Sequence, residues 1–233
     1  MWYTSMSAMA EMPMPGGGAM SMVWMRVPGQ TWPGAAASFL AMWTVMMVAM
    51  MLPSAAPMLW RYHRAIDRRG VTHPGWRTAL AGTGYFFVWS AAGVIVFPLG
   101  VALSAIALRQ PALARAVPIA GGVVVLIAGV FQLTTWKVRR IACCARAPHA
   151  DRALAGNARS AWRHGVRLGL RCGQCCAGLM AILLVGGVMD LRLMAVVTAA
   201  ITVERLAPAG ERVARLTGAI VVGAGLFLIA RAI

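Results

Sequence analysis

The stretch AASFLAMWTVMMVAMMLPSAAPMLW, residues 36–60, decides the fold. It is a continuous apolar run, and a helix that crosses a bilayer needs about 20 such residues, within a range of about 17–25. Five more apolar runs follow, at about 79–107, 117–136, 172–189, 193–206 and 216–232. The fourth and fifth of the six are short and close together, so they read as a tight helical hairpin around Asp190 and Arg192. The expected fold is all-α: a polytopic transmembrane helical bundle of about six helices over residues 36–233, preceded by a separate segment, 1–35.

Composition points the same way. Of 233 residues, 60% are hydrophobic and 12% are charged. A soluble domain carries about twice that charged fraction. No polar region is long enough to form a second, soluble domain. The charge is one-sided, with 22 Lys+Arg against 6 Asp+Glu and a formal net charge of +16. In a soluble protein that balance would suggest nucleic acid. Here the basic residues lie between apolar runs, where the positive-inside rule accounts for them without a nucleic-acid partner. The lipid bilayer is the expected partner, with anionic headgroups against the basic loops.

The loops give an orientation. The segments 61–77, 137–171 and 205–215 hold five, nine and three Lys+Arg, whereas the other side holds Arg26, Arg109, Arg115, Arg192 and Arg231. The basic loops are therefore expected in the cytoplasm and both termini outside, as in a multi-pass protein of the bacterial inner (plasma) membrane. The N-terminal segment has no basic stretch followed by an apolar one, so it does not read as a signal peptide. The alternative is a start further upstream, with one more helix.

Breakers fall inside the first run. Pro53 and Pro57 each remove a backbone donor and free a carbonyl one turn earlier. In lipid that carbonyl needs a neighbouring helix, a hydroxyl or a ligand. Ser54 is placed to supply one locally, and a plain kink is the simpler expectation. Gly121-Gly122 and Gly186-Gly187 read as points of close helix packing.

Sulfur is the element in excess: 17 Met and 5 Cys. Met fills gaps in cores, and much of it is explained that way. The outward segment has no core to fill, yet it alternates Met12-Pro13-Met14 and Met20-Ser21-Met22. Soft thioethers at this spacing suit Cu(I) and discriminate against hard cations. Along the first helix Met42, Met46 and Met50 repeat every four residues, and Met47, Met51 and Met58 extend a neighbouring stripe. Packing and metal contact both fit that stripe.

The run Cys172-Gly173-Gln174-Cys175-Cys176, with Met180 after it, has the two-residue gap of metal and redox sites. On a helix its three thiols share one face. Cys143 and Cys144 precede it in a basic loop, and a reducing compartment argues against structural disulfides. Arg167 and Arg171 are expected to favour thiolate, the metal-binding form. Glu204 is an acid in an apolar run, which makes it a functional candidate, with Arg205 or solvent as the ordinary partner. Asp190 reads as a turn residue. His63, His73, His149 and His164 are expected in solvated loops. Phosphate-binding, His-Glu-x-x-His and nucleophile-elbow patterns do not occur.

With both ends outside, Met50, Met51, Cys175, Cys176, Met180 and Glu204 are expected to converge in the inner half of the membrane, bounded by a break at Pro53. The metal-site candidates are thus Cys172, Cys175, Cys176, Met50, Met51, Met180 and Glu204 inside, and Met12, Met14, Met20 and Met22 outside.

The run from Met42-Trp43 through Met50-Met51-Leu52-Pro53-Ser54 to Pro57-Met58 resembles a bacterial family of unknown function. Its members are described as predicted metal-binding integral membrane proteins. Gln132-Leu133-Thr134 with Lys137, the Cys172 to Met180 cluster, Met189, Met194 and Glu204-Arg205 resemble its other landmarks in order. Arg139 and Arg140 stand where the family usually has a further cysteine. The resemblance spans about residues 40–233 and implies metal binding without implying a reaction.

The expected function is binding of a soft transition metal, copper first, in transport or in delivery to a periplasmic or membrane metalloprotein. The alternatives are a membrane redox or enzyme subunit that uses the cysteines, and a helical scaffold without metal. An enzymatic role is the less expected one.

Overall fold

The computed structural model describes residues 11–13, 19–21, 30–137, 157–188, 190–207 and 209–233. Six long helices follow one another: α1 (Trp32–Asp67), α2 (Pro74–Arg109), α3 (Pro111–Leu133), α4 (Ala158–Gly186), α5 (Leu191–Leu206) and α6 (Gly210–Ala232). Helical backbone resumes briefly over 135–137. The expected all-α bundle of about six helices is what forms. Five helices are long and apolar enough to cross a membrane: α1, α2, α4, α6 and the 116–133 part of α3.

The N-terminal segment contributes two short strands, β1 (Glu11–Pro13) and β2 (Ala19–Ser21), paired antiparallel with Met12 opposite Met20. Met14 and Met22 lie outside the described residues, as do Cys143, Cys144, His149 and Met189.

Each helix end has a local cause. The Thr31 side chain caps α1 by accepting from the Gly34 amide at 3.3 Å, and a proline sits in the first turn. Asp190 caps α5 by accepting from the amides of Arg192 and Leu193 at 2.8 and 3.2 Å, so it is the turn residue its position suggests. The α1–α2 turn uses left-handed backbone at Gly70 and His73.

Two helices differ from the hydropathy reading. α1 has 36 residues and continues through Pro53 and Pro57, so no break bounds the site there. The Ser54 hydroxyl donates to the Met51 carbonyl at 3.0 Å, not to the carbonyl of Ala49 that Pro53 frees. α4 starts at Ala158, well before the apolar run at 172. Its first turns are amphipathic: Arg159, Arg163, Arg167 and Arg171 are exposed, and Ala161, Gly165, Leu168 and Gly169 are buried. A hydropathy window ends at the arginines, while the buried stripe carries the helix on.

Small residues set the packing. A Cβ on Gly165 would collide with the Ala81 carbonyl, and one on Gly169 would lie 2.9 Å from the Tyr85 carbonyl. Glycine at both points lets α4 lie directly on α2. α3 and α6 meet the same way, for a Cβ on Gly129 or Gly225 would come within 2.7 Å of the amide of Val222 or Leu126 respectively. The outer surface of the bundle exposes Val94, Ile95, Leu99, Leu103, Ile220 and Phe227, an apolar perimeter that suits lipid.

Candidate metal centre

Two helical stripes face each other. On α1, Met46, Met47, Met50 and Met51 are all buried, with Met47 and Met51 completely so. On α4, Cys172, Cys175 and Cys176 are buried at 3% exposure or less, on the one face that their spacing requires. These seven sulfur residues belong to one core cluster with Tyr85 and Trp89 of α2 and Val197 and Ile201 of α5. Met58, Met180 and Met194 pack against it, half-buried. Met50, Met51, Cys175 and Cys176 thus share one core, with Met180 packed against it.

Cys172 is the best-connected sulfur. The Tyr85 hydroxyl donates to its Sγ at 3.0 Å, and Nη1 of Arg205 donates to the same atom at 2.9 Å. Sγ of Cys176 lies 3.8 Å away, one helical turn on. All three cysteines are thiols without a disulfide. Two donors aimed at one sulfur stabilise negative charge there, as a thiolate ligand requires. The cation that does this is Arg205; Arg167 and Arg171 are exposed on the other side of α4.

Glu204 is also buried. Its carboxylate accepts from Lys137 Nζ at 2.8 Å and from Gln132 Nε2 at 3.2 Å. Lys137 itself is completely buried. Adjacent residues of a helix point about 100° apart. Glu204 thus turns to α3 and the 135–137 turn, while Arg205 turns to α1 and α4. The expected pairing of Glu204 with Arg205 or solvent is replaced by this buried ion pair.

Two histidines also differ from expectation. His63 and His164 lie on α1 and α4 rather than in loops; His63 Nδ1 is 3.1 Å from the Thr78 hydroxyl, and His164 stacks on Tyr62 with ring centroids 4.6 Å apart.

Tyr85 and the role of Arg205 were not read from sequence, and Lys137 entered only as a landmark of the resemblance. One signal for Lys137 was present: it is the single lysine in a chain with 22 Lys+Arg, at the end of an apolar run. Tyr85 carried no local signal.

The donor set defines what the centre suits. Among the described residues, no three His, Cys, Asp or Glu side chains are arranged to hold a metal ion. What shares this apolar core is thiol with thioether, donor types that suit soft ions over hard cations.

Residues 40–228 match the model of the family PpoB2, described as "Copper chaperone". The chain belongs to this family. The matched region contains every residue of the sulfur cluster, Arg205 and the Lys137–Glu204 pair, and leaves the paired methionines Met12 and Met20 outside. No curated protein and no solved structure matches the chain.

Proposed function

We propose that the protein is an integral membrane Cu(I)-binding chaperone that takes copper on the outer side of the bacterial inner membrane and passes it to a periplasmic or membrane metalloprotein. The observation that carries this is the convergence of Cys172, Cys175 and Cys176 with Met50 and Met51 in one buried cluster. Packing alone would be served by Leu and Ile. Thiol and thioether together select a soft monovalent ion. The family description supports copper as the cargo.

In this reading the outward tail captures the ion. Met12 and Met20 are partners in the register of β1 and β2. Met14 and Met22 extend the same donor pool along the tail. The inner cluster of Cys172, Cys175, Cys176, Met50, Met51 and Met180 holds the ion next.

Elemental analysis of detergent-purified protein tests the reading. Wild type loaded with Cu(I) is expected to retain copper, and the Cys172/Cys175/Cys176→Ser variant to lose it. A wild-type protein that neither co-purifies with copper nor rebinds it defeats the proposal. Replacing Met12, Met14, Met20 and Met22 with Ala is expected to weaken growth or copper-enzyme activity only at low external copper.

A further inference from the structure

Arg205 lies among acceptors that a soft cation would also choose. Its Nη1 donates to Cys172 Sγ at 2.9 Å and to the Ser54 hydroxyl at 3.3 Å, and its Nη2 donates to Met58 Sδ at 3.0 Å. A thiol and a thioether from two different helices thus face one positive charge. Thioether sulfur is a weak acceptor and gains little from an ordinary hydrogen bond. Its place here is better accounted for by the charge it faces.

The arrangement depends on the neighbouring residue. Glu204 precedes Arg205 and would be its natural counter-ion, but Lys137 and Gln132 already occupy the carboxylate at 2.8 and 3.2 Å. Glu204 is 3% exposed, so its side chain is fixed within the bundle. Arg205, in the last turn of α5, is only half-buried. Its guanidinium reaches Ser54 and Met58 of α1 and Cys172 of α4. A long half-buried side chain at a helix end is able to swing outward with its charge solvated.

We propose that Arg205 is a tethered counter-cation of the sulfur site, displaced when the cargo ion binds and returned when it leaves. This deepens the Cu(I) reading and rests on it. With Cys172 as the thiolate that its two donors stabilise, the exchange involves no electron transfer and no proton leaves the sulfur: N–H···S contacts at Cys172 and Met58 break, S–Cu(I) contacts form, and the guanidinium keeps its proton as it moves toward water. One monovalent cation replaces another, so the charge of the buried site stays constant. A divalent ion would leave one uncompensated charge in an apolar interior, which is strongly disfavoured. Competition from the tethered cation also keeps the affinity low enough for hand-off.

Competitive Cu(I) titration against a colorimetric chelator tests this on the full-length protein in detergent. Hydrogen bonds to charged groups are worth enough that Arg205→Leu, which removes the cation and adds no sulfur, is expected to bind Cu(I) roughly ten-fold tighter than wild type. Arg205→Lys, which keeps a cation at the site, is expected to stay within about three-fold of wild type. A structural role alone would weaken binding in Arg205→Leu, so equal or weaker binding overturns the proposal. If that variant does not fold, Ser54→Ala decides, because it removes one acceptor of the guanidinium and no sulfur. It is expected to tighten binding by about three-fold, and no tightening overturns the proposal. A wild-type protein that binds no Cu(I) defeats the parent reading instead.

Discussion

Lys137 Nζ lies 2.8 Å from Glu204 Oε2, and both side chains are almost fully removed from solvent. This pair ties the end of α3 to the end of α5 across the bundle. Removing one partner of a buried pair costs about 3–5 kcal/mol, because the other charge is left alone. Lys137→Met is therefore expected to lower stability by that order. The double variant Lys137→Met/Glu204→Met is expected to recover most of it. Thermal unfolding in detergent reads both, and equal losses in single and double variants would contradict the pairing.

The Tyr85 hydroxyl and Cys172 form a buried contact between α2 and α4 at 3.0 Å. Tyr85→Phe removes one hydrogen bond and little volume, so a loss of about 1 kcal/mol is expected. In a double-mutant cycle with Cys172→Ala, the two changes should be non-additive by at least about 0.5 kcal/mol. Strict additivity would mean that the contact is not energetically coupled.

Met50 and Met51 separate packing from ligation. Leu is close to Met in volume, and such swaps usually cost less than about 1.5 kcal/mol. Met50→Leu and Met51→Leu are therefore expected to leave helical content and solubility intact while weakening Cu(I) retention. Unchanged retention would assign both side chains to packing.

Gly165 and Gly173 lie on the same helix but differ in surroundings. A Cβ at Gly165 meets the Ala81 carbonyl, whereas at Gly173 nothing lies within 4 Å. Gly165→Val is expected to abolish accumulation of folded protein in the membrane. Gly173→Ala is expected to be neutral or slightly stabilising, since Ala favours helix over Gly by roughly 1 kcal/mol. Equal yields of the two variants by quantitative blot would argue against the close α2–α4 contact.

What the sequence revealed follows the range of the signal. Apolar runs and the three cysteines at i, i+3 and i+4 are local patterns; the runs became long helices and the cysteines a buried stripe. A common depth for Met50 and Cys175 was inferable from helix direction, their shared core only from packing. The partners of Cys172 and Glu204 were not, because they come from far along the chain: Tyr85 is 87 positions from Cys172, and Lys137 is 67 from Glu204. No periodicity links such positions. The early start of α4 was hidden for a different reason. Hydropathy averages over all faces of a helix, while Arg159, Arg163, Arg167 and Arg171 occupy only one.

α5 has 16 residues, and a helix of that length rises about 24 Å against an apolar thickness of about 30 Å. It lies beside the sulfur cluster, in contact with α1, α4 and α6. Lipid bordering a short helix thins to match it, at a modest elastic cost. The dielectric barrier to a dehydrating ion falls with the thickness of the apolar layer it must cross. In the bilayer setting proposed above, that layer would be thinnest where α5 borders it, so the stretch of low permittivity between water and the thiols would be shortest on that side.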